Sequence, residues 1–215
     1  MSHSLNEIEA MSKRAARGAG LAWGLAEEAA KGTRWLSAFS FPGVELLAGL
    51  LTLNDRLPAV DFSPATLEGC WKAPAGRMSS LIAGAAMSDC AMRMAAGQEI
   101  EMENLCFPLL AVPFAGGAAL RLGQPVSVSW QGAQFATDGQ RLCAQGDRKA
   151  LLSDRARRVI CAAPAEMQGP VAPVQRAEVS VQAWAQLAEF ARRTYAPATE
   201  SSRLLGAGAD LDDNE

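Results

Sequence analysis

The chain has 215 residues, 49% hydrophobic and 20% charged, with a net charge of −3 at pH 7. That length suits one domain able to bury its own core without staples. The acidic balance argues against a nucleic-acid surface, and no apolar run reaches the ~20 residues needed to span a bilayer.

Ser4 followed by Glu7 is a capping-box pattern, and Leu5, Ile8, Met11 and Ala15 recur at helical spacing up to Gly18 and Gly20. A second helix is expected from Leu21 to Ser37, with Leu25, Ala29, Gly32 and Leu36 as its stripe and a Glu27–Lys31 pair on its surface. Ser40-Phe41-Pro42 opens a third, which buries Leu46, Leu47, Leu50 and Leu51. Together these form a helical subdomain over 1–55. At the first helix-to-helix turn, Arg17, Gly18 and Gly20 could cradle an anion through backbone N–H groups, with Arg34 as a further anion-binding candidate. The turn follows a helix and not a strand, so it lacks the setting of a dinucleotide fingerprint.

Residues 56–72 read as irregular, with Ser63-Pro64 as a cap for a short helix and Trp71 as a packed side chain. Arg77 to Ala96 reads as one long helix rich in Gly84, Ala85, Ala86, Ser88 and Ala91, with Asp89 paired to Arg93. Glu99 to Asn104 alternates as a half-buried strand, with Ile100 and Met102 inward. Pro113 then starts a helix that stops at Gly123; Gly116 and Gly117 weaken it by roughly 1 kcal/mol each. An antiparallel β-meander is expected over 126–130, 133–137 and 140–144, turning at Gln131-Gly132 and Asp138-Gly139.

Val159 to Ala162 reads as a last short strand. Pro164, Pro170 and Pro173 mark 163–175 as a linker or wrapping loop. Ser180 caps a C-terminal helix with Val181, Trp184, Ala188, Ala191 and Tyr195 on one face. A tail follows, ending in the solvated acidic run Asp210 to Glu215. The expected class is α+β: the helical subdomain, an α+β core over 56–162 that carries the long small-residue helix and the meander, then linker, C-terminal helix and tail over 163–215, all in one compact domain.

The single histidine, His3, is expected in a frayed terminus, which removes histidine-based acid/base chemistry, Ser-His-Asp triads and His-ligated metals. Five scattered cysteines, odd in number and without a CxxC pair, disfavour both a disulfide framework and zinc. Neither a metal nor a cofactor is expected. MSHSLNEIEA lacks the basic and apolar regions of a signal peptide, so the expected setting is cytoplasmic. Asn104, Glu200, Ser202 and Arg203 are the ligand-binding candidates, Arg203 because its planar fork suits a carboxylate or phosphate.

RGAGLAWGLAEEA at 17–29, YAPATESSR at 195–203 and GAGA at 206–209 resemble an uncharacterised bacterial family over nearly the whole chain; the resemblance implies a recurring design and no particular activity. The helical rhythm of residues 4–53 also resembles the start of malate/L-lactate dehydrogenase-type proteins. Arg34 matches that family's helix arginine, but Ser37-Ala38-Phe39-Ser40 has no histidine where the family's Ser-His-Gly motif carries one. The leading expectation is a binding or accessory protein without histidine-based catalysis. Its partner would be a small molecule or a protein, neither nucleic acid nor membrane, with self-association as an option. The alternative is a histidine-independent enzyme or degenerate dehydrogenase relative working through Arg34, Asp89 or Cys106.

Overall fold

A computed structural model describes residues 1–195. The chain starts as a short strand, β1 (Ser2–Ser4), and passes directly into α1 (Leu5–Gly18). The helix begins there because Ser4 Oγ accepts from the Glu7 N–H while the Ser4 N–H donates to Glu7 Oε2 at 2.7 Å. The terminus is not frayed. Its β1 pairs antiparallel with β9 (Arg176–Glu178), and the His3 ring stacks on Trp184 at 3.8 Å, contacts that no local pattern reveals.

Two further helices, α2 (Trp23–Ala38) and α3 (Gly43–Asn54), complete the helical layer, and Leu46, Leu47, Leu50 and Leu51 are buried as expected. Glu27 pairs with Lys13 at 2.7 Å and not with Lys31, so the ion pair links α1 to α2 instead of decorating one helix. Ser63-Pro64 caps no helix; a 3-10 turn, Ala59–Phe62, precedes it and Ser63 closes that turn.

The long helix expected over 77–96 is three pieces: the strand β3 (Met78–Ser79), α4 (Ser80–Asp89) and α5 (Ala91–Ala95). Met78 and Ser79 are extended because the edge of β4 (Ile100–Cys106) offers them a parallel ladder at Leu105 and Cys106. At the other end Arg121 donates to the Ser88 carbonyl at 2.8 Å and lies 3.9 Å from Asp89, taking the place of the expected Asp89–Arg93 pair where α4 stops. Arg93 instead donates to Gln98 and to the Leu67 carbonyl.

The helix α6 (Val112–Leu122) carries Pro113 in its first turn and ends at Gly123, whose φ of 67° closes it. The meander follows as β5 (Val126–Trp130), β6 (Ala133–Thr137) and β7 (Leu142–Gly146), its third strand two residues later than expected. A single helical turn, α7 (Arg148–Leu151), leads to β8 (Arg155–Ala162), twice the expected length. With β2 (Cys70–Trp71) at one edge, the sheet runs β2-β4-β8-β5-β6-β7, and β2 and β3 lie parallel to β4 at its two ends. Its last strand in sequence, β8, is therefore interior and flanked by β4 and β5.

One sheet face, with Ile100, Met102, Val126, Val128, Phe135, Val159 and Cys161, is buried, and α4 and α6 pack on the sheet. The final helix, α8 (Val181–Arg192), lies against α1 and α3. Its buried face is Ala183, Leu187, Phe190 and Ala191; Val181 and Tyr195 are exposed, so the expected stripe is rotated. Two helices crossing α8 select that face, whereas apolarity alone did not. The result is an α+β fold, and no helix among the described residues is long and apolar enough to cross a membrane.

Candidate functional site

The strands β4 and β8 share one antiparallel register, Glu103 opposite Arg158 and Leu105 opposite Ala156. Between these pairs Asn104 adopts φ +52°, a left-handed conformation that asparagine tolerates better than most residues. The kink breaks the alternation: Met102 and Leu105 are both buried, and across the ladder so are Ala156 and Val159. A regular strand would point Arg157 to the same side as Val159 and Cys161, into the core. Here Arg155, Arg157 and Arg158 are all exposed.

Arg155 stands between two concavities. One, of about 410 Å³, is lined by Ser129, Gln131, Ser153, Arg157, Arg158 and Ile160 among others. The second, of about 380 Å³, is lined by Gly49, Thr52, Leu53, Arg77, Cys106, Phe107, Asp154 and again Arg155. Phe107 is held at φ +48°, its N–H donating to the Asp154 carbonyl at 2.7 Å. Its ring lies over Gly49, where a Cβ would come within 2.7 Å of the ring tip, so α3 needs a glycine at that crossing.

Arg158 is bidentate to Glu101 at 2.8 and 2.8 Å, and that contact holds the Glu101 carboxyl below its usual range. Arg155 makes a long contact of 3.4 Å to the Gly76 carbonyl, and Arg157 has no ion pair among the described residues. Arg77 donates to Asn54 Oδ1 at 2.8 Å, with its guanidinium 6.0 Å from the Phe62 ring centre. Burial pushes the Cys106 thiol up, while Arg155 and Arg77 pull it the other way. The first concavity thus carries Arg155 and Arg157, with Arg158 neutralised by Glu101, and the second carries Arg77 and Arg155 against Asp154. Such an arrangement can hold an anion. Among the described residues, no group of three or more His, Cys, Asp and Glu could hold a metal ion.

Of the candidates named from sequence, Asn104 belongs to this region, but through its backbone; its Nδ2 reaches only Glu103 Oε1, at 3.4 Å. Arg17 donates to the Leu21 carbonyl and lies 4.5 Å from the Trp23 ring centre. The N–H groups of Ala19, Gly20 and Leu21 donate to the carbonyls of Ala15, Arg17 and Ala16, so the turn closes α1 instead of presenting free donors. Gly18 fits beneath the Phe190 carbonyl, and Gly20 turns at φ +94°. Arg34 pairs with Glu9 at 3.4 Å. Glu200, Ser202 and Arg203 lie outside the described residues. The sequence reading passed over Arg155, Arg157 and Arg158, although the run R-A-R-R is visible; starting β8 at Val159 left it in a loop. Arg77 leaves no sequence signal, because Asn54 and Phe62 reach it only in three dimensions.

A family model described as a protein of unknown function, DUF3726, matches residues 3–80. That segment includes Gly49, Thr52 and Arg77, whereas Cys106, Phe107 and Arg155 to Arg158 lie beyond it. No curated protein matches the chain.

Proposed function

We propose that the protein binds a small anionic molecule in the concavity lined by Arg155, Arg157 and Arg158 and performs no histidine-based catalysis. The observation that supports this is the exposure of Arg155, Arg157 and Arg158 on the half of β8 that β4 flanks and β5 does not reach, where a regular strand would turn Arg157 to the side of Val159 and Cys161. Guanidinium groups offer planar forks that match carboxylate and phosphate oxygens, and an unpaired one beside a concavity is free to use them. The partner class is a small molecule. A net charge of −3 keeps the rest of the surface unsuited to nucleic acid, and five unpaired cysteines favour a reducing, cytoplasmic setting. The histidine-independent enzyme is the weaker reading. Cys106 is the nucleophile in the lining, and burial favours its neutral thiol, whereas the thiolate is the reactive form.

The test is thermal unfolding of the full chain at low salt with phosphate, sulfate, citrate and succinate. A bound anion at a hundred times its Kd stabilises the fold by about 2.7 kcal/mol, an easily read rise in Tm. Arg157→Gln is expected to remove most of that rise and leave the ligand-free Tm unchanged. If no anion raises the Tm, or the variant responds like the parent chain, the reading is wrong.

A further inference from the structure

We infer that the chain covers an apolar cleft in its helical layer with its own segment around Leu204 and Leu205. The cleft, of about 180 Å³, is walled by Leu21, Leu25, Leu50, Leu51, Phe62 and Leu81. Its rim is apolar as well. Leu57 lines it, Trp23 and Val60 follow the lining residues Ala22 and Ala59 in the chain, and all three large side chains are exposed. A leucine-walled hollow edged by exposed Trp, Leu and Val is a surface that association covers. An apolar cavity of about 150 Å³ takes a benzene-sized group, so this one has room for a leucine side chain.

The described residues end beside this cleft. The Phe190 carbonyl lies over Gly18, the residue before Ala19, Gly20 and Leu21 of the lining. Arg193 is bidentate to Asp55 at 2.5 and 3.0 Å, next to Asn54 of the lining. The last turns of α8 therefore touch both chain segments, after α1 and at the end of α3, that border the cleft. Leu204 follows Tyr195 by nine residues, a reach of up to about 30 Å when extended. Within 196–215, Leu204 and Leu205 are the adjacent pair of large apolar residues, whereas Leu211 stands between Asp210 and Asp212 and suits water. A segment tethered this closely meets the cleft at an effective concentration on the order of millimolar, well above that of a second copy in dilute solution.

The experiment is calorimetric titration of a synthetic peptide of residues 199–209 into the parent chain and into the full chain carrying Leu204→Asp and Leu205→Asp. The double variant is expected to bind the peptide, and the parent to bind it roughly tenfold more weakly or worse, because its own segment competes. A peptide with alanine at both leucine positions is expected to lose roughly tenfold or more in affinity, as a leucine leaving a buried position would. Ala59→Glu, at an exposed position of the lining, is expected to abolish peptide binding when added to the double variant. Equal binding to parent and variant, no binding to either, or binding that Ala59→Glu leaves unchanged overturns the inference. A parent dimer in sedimentation that the double variant dissolves places the segment in the cleft of a second copy, which also overturns it. The cleft shares no lining residue with the concavity of Arg155, Arg157 and Arg158, so the anion-binding reading is decided separately by its own test.

Discussion

Asn104 shows how one backbone angle sets the chemistry of a surface. A residue at positive φ in a strand stores strain of order 1–3 kcal/mol, less for asparagine or glycine than for a branched side chain. Here the strained residue reverses the facing of its neighbours, so Leu105 enters the core and Arg157, opposite the kink, leaves it. Asn104→Gly keeps the left-handed angle available and is expected to retain both stability and the anion-induced Tm rise. Asn104→Val opposes that angle and is expected to lose about 1–3 kcal/mol in urea unfolding and to weaken anion binding together. A valine variant as stable and as responsive as the parent would show that the kink carries no function. Phe107 at φ +48° is the second strained residue of this connection, and its ring is seated by the missing side chain of Gly49.

Among the elements, α1 and α8 meet backbone to backbone at Gly18. A Cβ at Gly18 would lie 1.7 Å from the Phe190 carbonyl oxygen, a clash with backbone that no rotamer relieves. Gly24, in the first turn of α2, has nothing within 4 Å of the same added atom. The same chemical change should therefore have opposite signs at the two sites. Gly18→Ala is expected to destabilise by about 1–3 kcal/mol or more as α8 is pushed away. Gly24→Ala is expected to stabilise by up to about 1 kcal/mol through lower unfolded-state entropy. Denaturant midpoints of the two variants check this, and a neutral Gly18→Ala would mean that the helices are not held at this distance. Helix starts were legible for a local reason: Ser4 and Ser180 act within one turn, so cap and partner sit in the same few residues. Helix ends inside 77–96 were not, because the edge of β4 and the Arg121 side chain decide them.

On the scale of the whole molecule, the family-matched segment 3–80 is not closed on itself. β2 and β3 find their ladder on β4, α1 is covered by α8, and β1 pairs with β9, all of them supplied by residues beyond 80. Trp71 and Met78, both fully buried in the intact chain, would be stripped of those neighbours. A fragment of residues 1–80 is therefore expected to show reduced helicity and no cooperative unfolding transition. A sharp transition from the isolated fragment would show that its helices alone suffice as a core. The second concavity has the same dependence, with Arg77 from inside the matched segment and Arg155 from outside it.

The α+β class, the capped starts of α1 and α8, the proline-led α6 closed by Gly123, and the β5–β6–β7 meander were determined by the sequence alone. In each, the deciding interaction spans a few residues, so composition and spacing carry it. The interior place of β8, the pairing of β1 with β9, the outward turn of Arg157 and the meeting of Arg77 with Asn54 and Phe62 were decided only by tertiary structure. Each depends on partners from tens to more than a hundred residues away along the chain, or on a single φ angle that side-chain alternation does not encode. A strand can be read from its own residues, but the partner that aims its side chains has to be seen.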